Sequence, residues 1–195
     1  MEYLNLSKRH RIIINLLSKI FHPKEKLNIL DLASGHNFPI LKNFEDNNDG
    51  LKLSNYLAEK HNVTAYDQSA FQLFEKKKKN LRIKNGLVTR VEKYFPKESF
   101  DLIITSAFFG YPSSRNGRRP NYQKEFSVME QAYNLTKKDG FQIHLLSDGY
   151  WQLNKSDLLN IGYDVKKYLN EELKFLGDLE NKEEITKNLI LLKKW

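Results

Sequence analysis

Two carboxylates stand where short apolar runs end. Asp31 closes "LNILD" and Asp67 closes "VTAYD". After Asp31 comes a corner of small residues, Ala33-Ser34-Gly35, and then His36-Asn37-Phe38. A small-residue turn lets a ligand come close to the backbone, where larger side chains would block it. An acid closing the second run can accept two hydrogen bonds from the hydroxyls of a ribose. Each feature also has a plainer use. An aspartate after a buried strand often caps a helix, and Ser69 offers a competing cap. At the ends of consecutive runs, the two together point to a bound cofactor.

A second group lies in "SAFFGYPSSRNGRRPNY", residues 106–122. Phe108, Phe109 and Tyr111 stand beside Arg115, Arg118 and Arg119, and the basic part spans 113–120. Aromatics interleaved with arginines suit stacked bases and phosphates. They equally suit a pocket lining of aromatics with arginines that solvate a loop. The histidines at 10, 22, 36, 61 and 144 have no metal-ligand spacing, and no metal is expected. His144 reads as a satisfied core residue, and His36 as a turn residue or a contact for a cofactor carboxylate. The polar stretch "NFEDNNDG", residues 43–50, is not a calcium loop, because Tyr56 occupies the position that needs glutamate. The chain has no cysteine, which excludes disulfides, thiolate metal sites and a thiol nucleophile. No Gly-x4-Gly-Lys loop or Gly-x-Ser-x-Gly elbow is present.

Those residues need elements to position them. Ile13, Leu16, Leu17, Ile20 and Phe21 fall on one face of a helix over 8–21. Short apolar runs predict buried strands at 27–32, 63–66, 87–91, 100–105 and 141–146, with a further strand near 163–168 and a last one near 186–193. Helical spacing marks 51–60, 69–80, 121–135 and 155–160, with another helix near 170–178. Gly140, two residues after a lysine pair, reads as a helix stop. The lysine run 76–79 suits the negative end of the helix over 69–80. Short buried strands separated by helices predict parallel crossovers and a doubly wound α/β sheet. Ligands in such sheets bind beyond the carboxyl ends of the strands, so 31–38, 67–69, 91–93 and 105–112 are the segments of interest.

The order of these pieces resembles that of the class I S-adenosylmethionine-dependent methyltransferases over nearly the whole chain. "LNILDLASGHN" is similar to the family's first motif, an acid followed by spaced glycines, with Ala33 and Asn37 in two glycine positions. Alanine is acceptable at negative φ, and after glycine asparagine best tolerates positive φ. "VTAYDQSAFQLFEKK" resembles the second motif, "ESFDLIITSAFF" the fourth strand, and "VMEQAYNLTKKDGFQIHLL" the helix, turn and fifth strand. "GYDVKKYL" and "NLILLKK" are similar to strands six and seven, the seventh antiparallel and inserted between five and six. The interval from Asp31 to Asp67 exceeds the roughly 20 residues of a simple crossover.

The resemblance implies a three-layer α/β/α sandwich with a seven-stranded, mostly parallel sheet whose last strand is antiparallel. It implies one Rossmann-like domain over 1–195, with an N-terminal helical segment at 1–24 and the core at 25–195. The cofactor would be S-adenosylmethionine. Asp31, Ala33, Ser34, Gly35 and Asn37 would line its methionine end, Asp67 its ribose and Gln68 its adenine, with Glu92 as the acid of the third motif. Ser106, Ala107 and Phe108 would close the pocket. Tyr111 would stand near the methyl acceptor, and Phe109, Arg115, Arg118 and Arg119 would contact substrate. The Asn/Asp-Pro-Pro-Tyr/Phe signature of exocyclic-nitrogen methylation is missing from the loop after strand four. The acceptor is then RNA, reached through the basic loop, or a small molecule. A non-catalytic, methyltransferase-like partner subunit is the third reading.

Composition sets the frame. The 195 residues suit one sizeable core, and 40% hydrophobic with 29% charged residues describes a globular chain. The net charge of +8 favours anionic partners, or reflects solvated surface lysine. No stretch approaches the roughly 20 apolar residues of a membrane span. "RIIINLLSKIF" reads as an amphipathic helix rather than a signal peptide, so a cytoplasmic location is expected.

Overall fold

Helical spacing carries Ile13, Leu16 and Leu17 along one side of α1 (Lys8–Ile20), and all three are buried. The computed structural model describes residues 6, 8–32, 49–67, 78–106, 122–145, 152–163 and 189–194. After α1 come β1 (Asn28–Leu32), α2 (Asp49–Leu57), β2 (Asn62–Asp67) and β3 (Leu81–Asn85). A short 3₁₀ helix (Val88–Tyr94), kinked at Arg90, leads into β4 (Phe100–Ser106). Then follow α3 (Tyr122–Leu135), β5 (Thr136–Leu145), α4 (Lys155–Ile161) and β6 (Leu189–Lys193).

The described strands form one sheet of six in the order β3-β2-β1-β4-β5-β6. Neighbours from β3 to β5 pair parallel, and β6 pairs antiparallel with β5. The chain winds outward from β1 to β3 and then crosses to β4 on the other side of β1. The winding therefore reverses between β1 and β4, where Leu32 is opposite Thr105.

Alternation along the strands divides the core between the two faces of the sheet. Ile29, Val63, Ala65, Leu102, Ile104 and Ile143 pack with α1 and α2. Leu30, Leu32, Tyr66 and Ile103 pack with Val128, Met129 and Leu135 of α3. A strand buried on both faces reads as a continuous apolar run, which is why β1 and β4 were legible.

Two expectations are corrected. The third strand is Leu81–Asn85 rather than 87–91, because Val63 to Asp67 pair in register with Leu81 to Asn85. The valines and threonine that suggested a strand at 87–91 lie in the 3₁₀ helix. Gly140 does not stop a helix, since α3 ends at Leu135 and β5 begins at once. It sits where β5 bulges against β4, between the pairs Phe100–Thr136 and Leu102–Phe141. A Cβ there would lie 2.8 Å from the Thr136 methyl and 2.9 Å from the Lys137 carbonyl oxygen. Of the helix expected over 69–80, residues 78–80 are described, and they form a turn. The strand near 163–168, apart from Tyr163, and the helix near 170–178 lie outside the described residues. No helix among the described residues is long and apolar enough to cross a membrane.

Candidate active site

The carboxyl ends of β1, β2 and β4 bring three of the sequence-derived residues to one edge of the sheet. Asp31 is the penultimate residue of β1, Asp67 the last of β2 and Ser106 the last of β4. Asp31 is opposite Ala65, and period-two alternation puts Asp67 on the same face, the one packed by α2.

Both acids are buried, Asp31 at 1% exposure and Asp67 at 4%. Ser54 of α2 donates a hydrogen bond to Asp31 Oδ2. Asp31 Oδ1 is buried and has no hydrogen-bond partner among the described residues. Burial raises the Asp31 carboxyl from 3.8 to about 7, the Ser54 hydrogen bond opposes the shift, and the charge of Asp67 adds to it. A buried acceptor left without a donor costs about 1–3 kcal/mol. A ligand that brings a cation or N–H donors to this strand end would recover that cost.

Gly86 shapes the β2 side of the same edge. Its N–H donates to the Asp67 carbonyl at 3.1 Å. A Cβ on it would fall 2.0 Å from the Tyr66 hydroxyl oxygen, so the buried Tyr66 ring occupies the space of a side chain. The Tyr66 hydroxyl donates to the Leu87 carbonyl at 3.2 Å.

Behind the ends of β4 and β5, on the α3 face, lies a buried polar chain. The Thr105 hydroxyl donates to His144 Nδ1 at 2.9 Å, and His144 Nε2–H donates to Gln142 Oε1 at 2.9 Å. Gln142 Nε2 donates to Thr136 Oγ1 at 2.8 Å, and Thr136 donates to the Ala132 carbonyl at 2.7 Å. This pattern fixes the neutral imidazole with its proton on Nε2. Burial lowers the His144 pKa from 6.5 to about 3. His144 is thus the satisfied core residue its mid-strand position suggested.

Glu92 is placed elsewhere. It lies in the 3₁₀ helix, where its N–H donates to Gln131 Oε1 at 3.2 Å and its carboxylate accepts from Asn134 Nδ2 at 3.3 Å. It ties that helix to α3. The residue ending the third strand is Asn85, opposite Asp67. Ala33, Ser34, Gly35, Asn37, Gln68, Ala107, Phe108, Phe109, Tyr111, Arg115, Arg118 and Arg119 lie outside the described residues, as does His36.

Sequence reasoning missed two buried polar groups, one of them beside Asp31. Ser54 is fully buried beside Leu53 and Leu57, and a polar residue within an apolar helical stretch was its signal. Glu125, in the first turn of α3, is fully buried, and its Oε2 accepts from the Gln152 N–H at 3.1 Å. No group of three metal-ligating side chains occurs among the described residues.

No family model and no curated protein matches the chain. Several solved structures are similar to it. One is an arsenic(III) S-adenosylmethionine methyltransferase from Chlamydomonas reinhardtii, at 20% identity and a TM-score of 0.41, over 62% of this chain and 38% of that one. A TehB-like S-adenosylmethionine-dependent methyltransferase from Corynebacterium glutamicum matches at 15% identity and a TM-score of 0.46, over 75% and 68%. A Listeria monocytogenes protein described as an S-adenosylmethionine-dependent methyltransferase matches at 14% identity and a TM-score of 0.49, over 96% and 98%. The chain thus spans well under half of the algal enzyme and nearly all of the Listeria protein.

Proposed function

We propose that this chain is an S-adenosylmethionine-dependent methyltransferase with the cofactor seated on the carboxyl ends of β1 and β2. The observation that carries the reading is the pair of buried acids, Asp31 and Asp67, on one face of adjacent parallel strands beside the point where the winding reverses. Asp31 Oδ1, which has no hydrogen-bond partner among the described residues, fits a ligand that carries a cationic amine and sulfonium. We also assign a seventh strand near 163–168, helical layers on both faces and a single domain over 1–195.

The cofactor, when bound, supplies an activated methyl group. The chain's own residues then have the tasks of holding and orienting. Asp67 accepts from the ribose hydroxyls, and Gln68 flanks the adenine. Asp31, Ala33, Ser34, Gly35 and Asn37 line the methionine end, with Ser54 fixing the Asp31 carboxylate. Ser106, Ala107 and Phe108 close the pocket, and Tyr111 stands near the acceptor. We take RNA as the acceptor, which the net charge of +8 and the arginines at 115, 118 and 119 support.

Ala33 and Asn37, in positions where the resembled motif has glycine, favour one second reading: a partner subunit of the same fold that no longer catalyses. Calorimetric titration separates the two. Heat on adding S-adenosylmethionine, and none with NAD, supports the enzyme. Silence with both ligands overturns it in favour of the subunit.

A further inference from the structure

A groove of about 810 Å³ opens at the other end of the sheet, beside the amino ends of β1, β2 and β4, where Asn28, Asn62 and Phe100 stand. β2 has six residues, so roughly 17 Å separates this edge from Asp67. The floor of the groove is the α3-side face of β2 and β3, which presents Thr64, Arg82 and Lys84. Their neighbours Val63, Leu81 and Ile83 point the other way, into the core with α1 and α2. The connection from β3 to β4 explains the opening. Its described helix is the short 3₁₀ segment, which packs on α3 through Glu92 and Gln131 and leaves this strip of β2 and β3 accessible.

The groove is cationic and has aromatic walls. Lys79, Arg82 and Lys84 line it, and no acidic side chain does so among the described residues. Elsewhere on the surface, Lys78, Lys137, Lys193 and Lys194 are matched to Glu59, Asp101, Asp139 and Glu98. Lys79 and Arg82 have no such partner among the described residues, and both are exposed. Lys84 Nζ lies 4.8 Å from the ring centroids of both Tyr94 and Phe95 and donates to the Tyr94 carbonyl at 3.3 Å. Tyr94 is 44% exposed, so part of its ring is open to a ligand.

We infer that this groove docks single-stranded RNA. Cations with no acidic partner among the described residues suit the phosphates, and an exposed ring suits an unstacked base, which a duplex does not offer. Arg82 and Lys84 project from the same face, with Cα atoms roughly 6.6 Å apart, a spacing comparable to that of successive phosphates in an extended strand. Asn62, Thr64 and Asn80 add amide and hydroxyl groups within reach of a ribose 2′-hydroxyl. The groove runs along the face of the sheet opposite Asp31 and Asp67, reaching Lys84 opposite Tyr66, and the inference does not depend on the methyl-transfer reading.

The test is fluorescence anisotropy of a labelled oligouridine strand against the full chain at several salt concentrations. Wild type should bind, and Arg82→Ala with Lys79→Ala should weaken binding about tenfold and flatten the salt dependence by about one ion per lost phosphate contact. Tyr94→Ala should weaken binding with the salt slope unchanged. Lys137→Ala with Lys193→Ala, which removes two paired lysines, should leave binding intact. S-adenosylmethionine titration and thermal unfolding of each variant report separately on the cofactor edge and on folding. The proposal is overturned if wild type does not bind, or if the groove variants that remain folded bind like wild type. Loss only in Arg118→Ala with Arg119→Ala overturns it too, as does equal or tighter binding of oligothymidine, duplex DNA or polyglutamate.

Discussion

At the scale of single residues, the strand-end acids were the most legible part of the site. Asp31 and Asp67 each follow a short apolar run, and the register of β1 and β2 puts them on one face. The link of Ser54 to Asp31 was not legible, because it spans 23 residues of sequence and depends on how α2 settles on the sheet. Glu92 reads in the sequence as a strand-end acid, and the strand instead ends at Asn85. Two substitutions address the acids. Asp67→Ala should weaken S-adenosylmethionine binding by about 1–3 kcal/mol, the cost of leaving the ribose hydroxyls without their acceptor. Unchanged affinity by calorimetry would remove Asp67 from the ribose site. Asp31 holds its proton up to about pH 7, while a cationic ligand favours the ionised form. Binding should therefore strengthen as pH rises through 7 and release a proton, visible as a buffer-dependent binding heat. Asp31→Asn should abolish that dependence. If the variant keeps the same proton release, another group carries it.

At the scale of elements, the strands buried on both faces were readable and the edge strand was not. β4 is a continuous apolar run, whereas β3 reads "LRIKN", with Arg82 and Asn85 exposed. The better strand formers after it, Val88, Thr89 and Val91, became a 3₁₀ helix because pairing with β2 was already satisfied by Leu81 to Asn85. Gly86 marks the turn out of β3, and its absent side chain makes room for Tyr66. Gly86→Ala should force the Tyr66 ring aside, breaking its hydrogen bond to Leu87 and destabilising the chain by about 1–3 kcal/mol. Chemical denaturation measures this directly. Full stability of the variant would show that Tyr66 has another place to go. Gly140 teaches the same lesson, since lysine-lysine-aspartate-glycine reads locally as a helix end. The approach of Thr136 and the Asp101 carbonyl, at 2.8 and 3.0 Å from a Cβ there, is a tertiary fact that local pattern does not carry.

At the scale of the whole molecule, the alternation of strands and helices carried the parallel, doubly wound part of the sheet, and the resemblance to the methyltransferases carried the antiparallel last strand beside β5. Asp31 and His144, buried on opposite faces of that sheet, together set a global property that no single site reveals. Asp31 titrates at about 7 when folded and near 3.8 when unfolded. Between those values the folded chain holds a proton that the unfolded chain has lost, so Asp31 makes stability fall as pH rises from about 4 to 7. His144 titrates at about 3 when folded and 6.5 when unfolded. There the unfolded chain holds the extra proton, so His144 makes stability rise with pH from about 3 to 6.5. Each slope is about 1.4 kcal/mol per pH unit, and over the shared window, from about pH 4 to 6.5, they oppose and nearly cancel. Removing one exposes the other. Asp31→Asn should lose about 3 kcal/mol more than wild type on acidification from about pH 6.5 to 4, and His144→Gln should gain by a similar amount relative to wild type. The contrast is read from urea midpoints of the three proteins at the two pH values, independently of the stability each substitution changes at neutral pH. Parallel pH profiles for all three would show that neither group is held as the buried geometry requires.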